Sequence, residues 1–345
     1  MIEHARAAIE AARIAGVFPA ATVDVGSSAG PLWSEAFGTA IETPFDLASL
    51  TKVIATTTVI MELVRTGAVG LAEPVAAFFP EWRGADREAV TVRDLLEHAS
   101  GLPARLVDPP PEGRREFEHE ICAIKLEYEP WTRSIYSDLG FILLGFLAAD
   151  RANAPLAGLF PPWPLPSDGD TGGPACLTFD LPPEMRALAA PTLPMDDDLR
   201  RGRVLHGDVH DNYAAALGGV AGHAGLFGSA SGVGRFARTV LRAARGDATG
   251  PAPFSPAMVA TFTTRTRVPG SSRALGWDTM LPTSSCGTRM SPRAFGHVGY
   301  TGGSVWIDPD RDRYFVLLTN RVYGGGTVDE MRTVRRAFHD ALADV

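Results

Sequence analysis

The stretch that most constrains this chain is the one around residues 45–64. Leu50, Val53, Ile54, Ile60, Met61 and Val64 recur at helical spacing, and apolar residues nearly surround the run. A helix that is apolar on all sides is a buried one, so the spacing predicts a core helix from Val53 to Val64, stopped at Gly67. Ser49 stands at its start, with Lys52 three residues on. Residues i and i+3 share a helix face, so hydroxyl and amine can meet. A serine becomes a nucleophile only when a base removes its proton. A lysine can be that base when its pKa is lowered, and burial in an apolar helix lowers it. The helix N-terminus also favours negative charge developing there.

Of the 32 basic residues only two are lysines, Lys52 and Lys125. Arginine stays protonated in proteins and cannot serve as the base. A chain that otherwise writes its positive charge as arginine has therefore placed one of its two lysines in an apolar helix beside a serine. A chance Ser-x-x-Lys with a snorkelling lysine is the plainer reading of the tetrapeptide alone.

The 345 residues suffice for a large core in one or two domains, and 45% hydrophobic with 21% charged residues is ordinary for a globular protein. A net charge of −8 argues against nucleic-acid or anionic-membrane partners. No apolar run spans a bilayer, and the N-terminal segment, charged at Glu3, Arg6, Glu10 and Arg13, reads as an amphipathic helix over 2–15 rather than a signal peptide, so a cytoplasmic address is expected. Cys122, Cys176 and Cys286 are odd in number and widely spaced, which suggests free thiols.

Ala20 to Val25 and Leu32 to Phe37 read as strands joined by a turn at 27–30, and Ser304–Asp308 and Arg313–Thr319 as a second hairpin. Helices are predicted from Val90 to His98 with Thr91 as N-cap, from Phe141 to Ala149, from Gly232 to Arg245, and from about Val328 to Ala343. Residues 104–120 read as surface loop and 155–194 as long irregular connections. Gly218 to Gly225 is a glycine-dense run that implies close backbone approach. The fold expected is α+β (mixed): an antiparallel sheet built from both chain ends and flanked by helices, with a helical insertion. Residues 1–66 and 228–345 would form the sheet domain and 67–227 the helical one, with the site at their junction.

Ser49-Leu50-Thr51-Lys52, Tyr136-Ser137-Asp138 and His297-Val298-Gly299, in that order, resemble the three motifs of the serine beta-lactamase and penicillin-binding-protein superfamily. The class C branch, with its carboxypeptidase and esterase relatives, is the most similar. Leu95 through Pro103 and His297 through Val322 support the likeness, which covers nearly the whole chain. The resemblance implies a serine hydrolase that needs no cofactor or metal and forms an acyl-enzyme on Ser49. Lys52 and Tyr136 would share the acid and base work, and the N–H groups of Ser49 and Tyr300 would make the oxyanion hole. Asp138 stands where the family often has asparagine, and its charge would raise the lysine pKa. His297 replaces the usual lysine and would attract a substrate carboxylate less strongly. The alternative register, with Tyr300-Thr301-Gly302 in the third slot, is less favoured. Asp138, His297, Gly299 and Trp131 are the candidate substrate-binding residues.

The implied substrate is a small ester or amide or a peptide. A leaderless chain leans towards esterase, peptidase or muropeptide amidase rather than a true beta-lactamase, and a catalytically silent binding protein is the other class of reading. Gly202 to Val204, Gly207 to Asp211 and Gly219 to Phe227 resemble a subgroup linked to muropeptide processing. His210, Asp211 and His223 could be metal ligands, but a His-Asp pair capping a loop beside a glycine turn accounts for them better. His98 is read as structural, a cation at a helix end, and Trp277 and Trp306 as core or pocket wall.

Overall fold

The computed structural model describes residues 1–107, 109–160, 177–196 and 198–343. The irregular connections expected over 155–194 fall partly outside those residues, as does Cys176.

Helix α1 (Ile2–Ile14) leads into strands β1 (Ala21–Ser27) and β2 (Gly30–Phe37) and the two-residue β3 (Phe45–Asp46). The core helix begins with a π-wound turn, Lys52–Thr56, and continues as α2 (Thr57–Arg65). Short helix α3 (Val92–Leu96) and then α4 (Gly113–Ala123), α5 (Asp138–Ala152) and α6 (Leu156–Leu159) follow. Beyond them come β4 (Leu177–Thr178), α7 (Pro183–Arg186), α8 (Asn212–Ala216) and β5 (Phe227–Gly228). The last third holds α9 (Ala230–Ala244), α10 (Pro256–Thr263), β6 (Asp278–Thr279), β7 (Phe295–Val298), β8 (Ser304–Asp308), β9 (Arg313–Thr319), α11 (Arg321–Gly324) and α12 (Val328–Leu342).

The main sheet is antiparallel and has the order β2-β1-β9-β8-β7-β6, so strands from the two chain ends meet between β1 and β9, with Val23 opposite Leu317. Successive side chains on a strand point to opposite faces. On β9, Phe315 and Leu317 pack with Ile9 of α1 and Phe338 of α12, while Val316 and Leu318 join Val233 and Phe236 of α9. The sheet is thus covered on both faces, which is why β1 is buried along its whole length. A second small sheet, β3-β5-β4, ties the approach to Ser49 to the end of the glycine run.

Two expected helices differ. The one read from Val90 to His98 is only α3, because Thr91 is extended and both its N–H and its hydroxyl donate to Asp94 Oδ2 at 2.7 Å, while His98 turns into the left-handed region at φ +55°. The one read from Phe141 starts earlier, at Asp138, which places a carboxylate in the first turn. The stretch 104–120, read as surface loop, instead enters α4 at Gly113, because Phe117 and Ile121 are buried. Among the described residues no helix is long and apolar enough to cross a membrane.

Candidate active site

Ser49 follows β3 in a tight, strained entry to the core helix. Ala48 has φ +46°, a left-handed conformation costly for a residue with a Cβ. Buried Asp46 holds it there: its side chain accepts from the N–H of Ala48 at 2.7 Å and from the N–H of His210 at 2.6 Å, and its carbonyl accepts from the Thr301 hydroxyl at 2.8 Å. Burial pushes this carboxyl up to about 6, against the pull of the two N–H bonds.

Lys52 is fully buried. Its Nζ donates to Ser49 Oγ at 3.1 Å, to Asp138 Oδ1 at 2.8 Å and to the carbonyl of His223 at 3.3 Å. It also lies 4.6 Å from the centre of the Tyr136 ring. Burial alone would lower its pKa, the effect expected from sequence. The attraction of Asp138, with Tyr136 second, outweighs burial and leaves the lysine raised above its ordinary value. Lys52 is therefore an ammonium in the resting site. The same coupling leaves Asp138 below the usual carboxylate range, since Lys52, His223 and Arg105 together outweigh its burial.

Tyr136 sits in a cage of rings and cations. His98 lies 4.7 Å and His297 5.7 Å from its ring, and the Arg273 guanidinium 5.0 Å from its centre. Its hydroxyl is buried, and among the described residues it has no hydrogen-bond partner of good geometry. His98 is not the expected helix-end cation: its Nδ1 accepts the N–H of Ser137 at 3.0 Å, and burial and then Arg273 hold its pKa well down. It is a neutral ring that fixes the Tyr136-Ser137-Asp138 loop. His297 is also neutral, its pKa held well down by burial and then Arg273. Its Nδ1 donates to the Val298 carbonyl at 2.8 Å, which leaves Nε2 as a bare, buried acceptor.

Ser49, Tyr136, Asp138, His297, Gly299 and Tyr300 line one cavity of about 590 Å³. Val298, Gly299 and Tyr300 belong to the stretch after His297 that runs against the loop before Ser49. A Cβ on Gly299 would stand 2.7 Å from the Leu47 carbonyl, so the close approach needs glycine. Half-exposed Tyr300 stacks on His210 at 5.6 Å, with Arg321 on its ring at 4.7 Å. Among the described residues, neither the N–H of Ser49 nor that of Tyr300 donates to a carbonyl. Trp131 is not in this cavity. It lies on a separate groove of about 550 Å³ with Arg93, Glu97 and Thr266, because its backbone turns left-handed at φ +65° and its N–H is tied to Ala99.

Sequence reasoning did not single out Arg105, Arg273, Asp46 or Arg335. Arg105 donates to both Asp138 and Asp211, and Arg335 donates to the Gly299 and Gly303 carbonyls at 2.7 and 3.0 Å. Each arginine was one among many with no local signature. Asp211 and His223 do pair, at 2.8 Å, and Asp211 caps α8 by accepting from the Ala214 N–H at 2.8 Å. With Asp138 they make a cluster whose ligand atoms lie within 4.8 Å of one another. Its two carboxylates already face Lys52 and Arg105, so the cluster is balanced by side-chain cations.

The sequence profile of the family described as Beta-lactamase matches residues 5–160 and 177–339. A putative D-alanyl-D-alanine carboxypeptidase of Escherichia coli (strain K12) is 29% identical over 307 residues, covering 81% of this chain and 69% of the relative. An N-acetylmuramyl-L-alanine amidase of Bacillus subtilis (strain 168) is 29% identical over 310 residues, covering 81% and 68%. The solved structure of a beta-lactamase/D-alanine carboxypeptidase from Pseudomonas syringae superposes with a TM-score of 0.74 at 17% identity, covering 98% of each chain, and supports the fold. With the profile matched over nearly its full length, the chain belongs to the beta-lactamase family of serine hydrolases.

Proposed function

We propose that Ser49 is the nucleophile of an acyl-enzyme hydrolase that acts on a carboxylate-bearing peptide or ester, of the kind a cell-wall carboxypeptidase or amidase cleaves. The observation that carries this reading is the 3.1 Å contact between Ser49 Oγ and Lys52 Nζ inside the 590 Å³ cavity. Lys52 rests as an ammonium, so the reactive form is the minority in which it has lost a proton. Its amine then takes the Ser49 proton as Oγ attacks the substrate carbonyl. The unengaged N–H groups of Ser49 and Tyr300 suit the oxyanion that appears only in the tetrahedral state. Tyr136, beside Lys52, relays the proton to the leaving group, and water resolves the acyl-enzyme by the reverse route. His297, neutral in the third motif, cannot supply the cation that lysine gives in that position. Arg273 can: it lines the cavity, and among the described residues no carboxylate is within ion-pair distance of its guanidinium.

The resting charge on Lys52 favours one second reading, a binding protein that keeps the fold without turnover. Intact mass after incubation with a fluorophosphonate separates the two. A single adduct on the wild type that is absent from Ser49→Ala is the expected result. An unlabelled wild type would leave the binding reading in place. Nitrocefin turnover that rivals the best ester would make the enzyme a true beta-lactamase instead.

A further inference from the structure

The residues around Lys52 close into a ring. Lys52 Nζ meets Asp138 Oδ1 at 2.8 Å, Asp138 Oδ2 meets Arg105 at 3.1 Å, and the same Arg105 nitrogen meets Asp211 Oδ2 at 2.9 Å. Asp211 Oδ1 meets His223 Nε2 at 2.8 Å, and the His223 carbonyl returns to Lys52 Nζ at 3.3 Å. Because Asp211 is a carboxylate, Nε2 of His223 must be the donor. The ring lies on four pieces of chain, around Lys52, Arg105, Asp138 and the stretch from Asp211 to His223, and the glycine run delivers the last of its members. Arg105 is braced from outside by Asn212 and by the Tyr213 ring, 3.9 Å from its guanidinium carbon. Two cations and two carboxylates alternate around it.

We propose that Arg105, Asp211 and His223 are positioning residues that fix Asp138 against the Lys52 ammonium and so set how readily Ser49 loses its proton. This deepens the acyl-enzyme reading and rests on it only where catalysis is concerned. Arg105 and Lys52 compete for one carboxylate. Asp211 draws part of the charge of Arg105 away and leaves Asp138 to the lysine. His223 steadies Asp211 with its ring and the ammonium with its carbonyl. The other groups that face Lys52 are Tyr136, the Phe141 ring at 5.7 Å and, farther out, the cation Arg273 with neutral His98 and His297. Of these only Arg273 carries a charge, and it opposes the ammonium. Asp138 is thus the first group that holds the proton on Lys52, with Tyr136 second, and the rest of the ring acts through Asp138.

The two arms of the ring act with opposite sign. Asp211→Asn turns the whole charge of Arg105 onto Asp138 and removes an anion, so Lys52 releases its proton at lower pH. Arg105→Met leaves Asp138 undivided, so Lys52 holds its proton to higher pH. Only two lysines exist, and Lys125 is exposed, so protein carrying ¹³C at lysine Cε gives two resonances, assigned with Lys125→Arg. The expected result is a Lys52 resonance that titrates above the ordinary lysine value in the wild type. In Asp211→Asn it should move at least one pH unit lower, and in Arg105→Met to higher pH than in the wild type; Asp211→Glu should restore wild-type behaviour. Identical curves for Asp211→Asn and wild type, or an unchanged or lowered curve in Arg105→Met, would overturn the proposal. Should one variant fail to fold, the other still carries the sign. The resonance reads the ring without turnover, so an unreactive Ser49 would sink the hydrolase reading and leave this result standing. Where Ser49 is reactive, the acid limb of fluorophosphonate labelling should follow the same shifts.

Discussion

At the scale of the residue, charge has been reassigned within a familiar set of positions. Asp138 adds a carboxylate beside Lys52, and His297 brings a ring that burial and Arg273 keep neutral. The cation proposed above to meet a substrate carboxylate is Arg273, stacked over Tyr136. Arg273→Gln should lower kcat/KM about 10- to 100-fold for a substrate with a free carboxylate, the worth of a hydrogen bond to a charged group, and leave a neutral ester nearly unchanged. Equal losses on both substrates in parallel assays would remove Arg273 from recognition. Ser49, Lys52, Tyr136, Asp138 and His297 could be read from the chain because each sits in a short pattern. Arg273 and Arg105 could not, since one arginine among many gains meaning only from what it faces. The protonation of Lys52 was legible only as two opposing effects; the 2.8 Å contact with Asp138 decides between them.

At the scale of the element, the site depends on how closely α5 and the glycine run approach. A Cβ on Gly222 would lie 1.9 Å from the Phe141 carbonyl on α5, and a Cβ on Gly145, one turn on along the same helix, would stand 2.9 Å from the Gly222 nitrogen. Next to this contact the Thr56 hydroxyl donates to the Gly222 carbonyl at 2.7 Å and Lys52 to that of His223. Gly222→Ala should therefore cost about 3 kcal/mol of stability or more, an overpacking loss with no flexible neighbour to give way. A thermal melt within a degree of wild type would contradict that packing. The sequence signalled the need for glycine here, since eight residues hold four of them, but not which carbonyl they approach. The π-wound turn over Lys52–Thr56 was not legible either: hydrophobic spacing marks a helix but does not distinguish one winding from the other over a single turn.

At the scale of the whole molecule, the two chain ends meet along one seam, and that seam carries its own titration. Asp24 lies mid-strand on β1. It accepts from the Ser34 hydroxyl of β2 at 2.7 Å and from the Tyr314 hydroxyl of β9 at 2.8 Å. Gly234 of α9 closes over it, since a Cβ there would stand 2.2 Å from Oδ1. The paired hairpins were plain in the alternating strands, whereas a buried carboxyl where they join was not, because an aspartate in a strand gives no sign of which neighbour it will face. Burial pushes Asp24 up to about 6, against the pull of its two hydroxyl partners and Arg238. The native state therefore holds this proton more tightly than the unfolded chain, where the carboxyl has its ordinary pKa of 3.8. The stability it lends is full at acid pH and is lost as pH rises through about 6. Asp24→Asn has no proton to lose. Urea unfolding at pH 4.5 and at pH 7 should thus show the wild-type advantage over the variant shrinking by about 2 kcal/mol as pH rises. A difference that stays constant between the two would mean that Asp24 is ionised in the native protein throughout, with the polar partners at the seam strong enough to outweigh its burial.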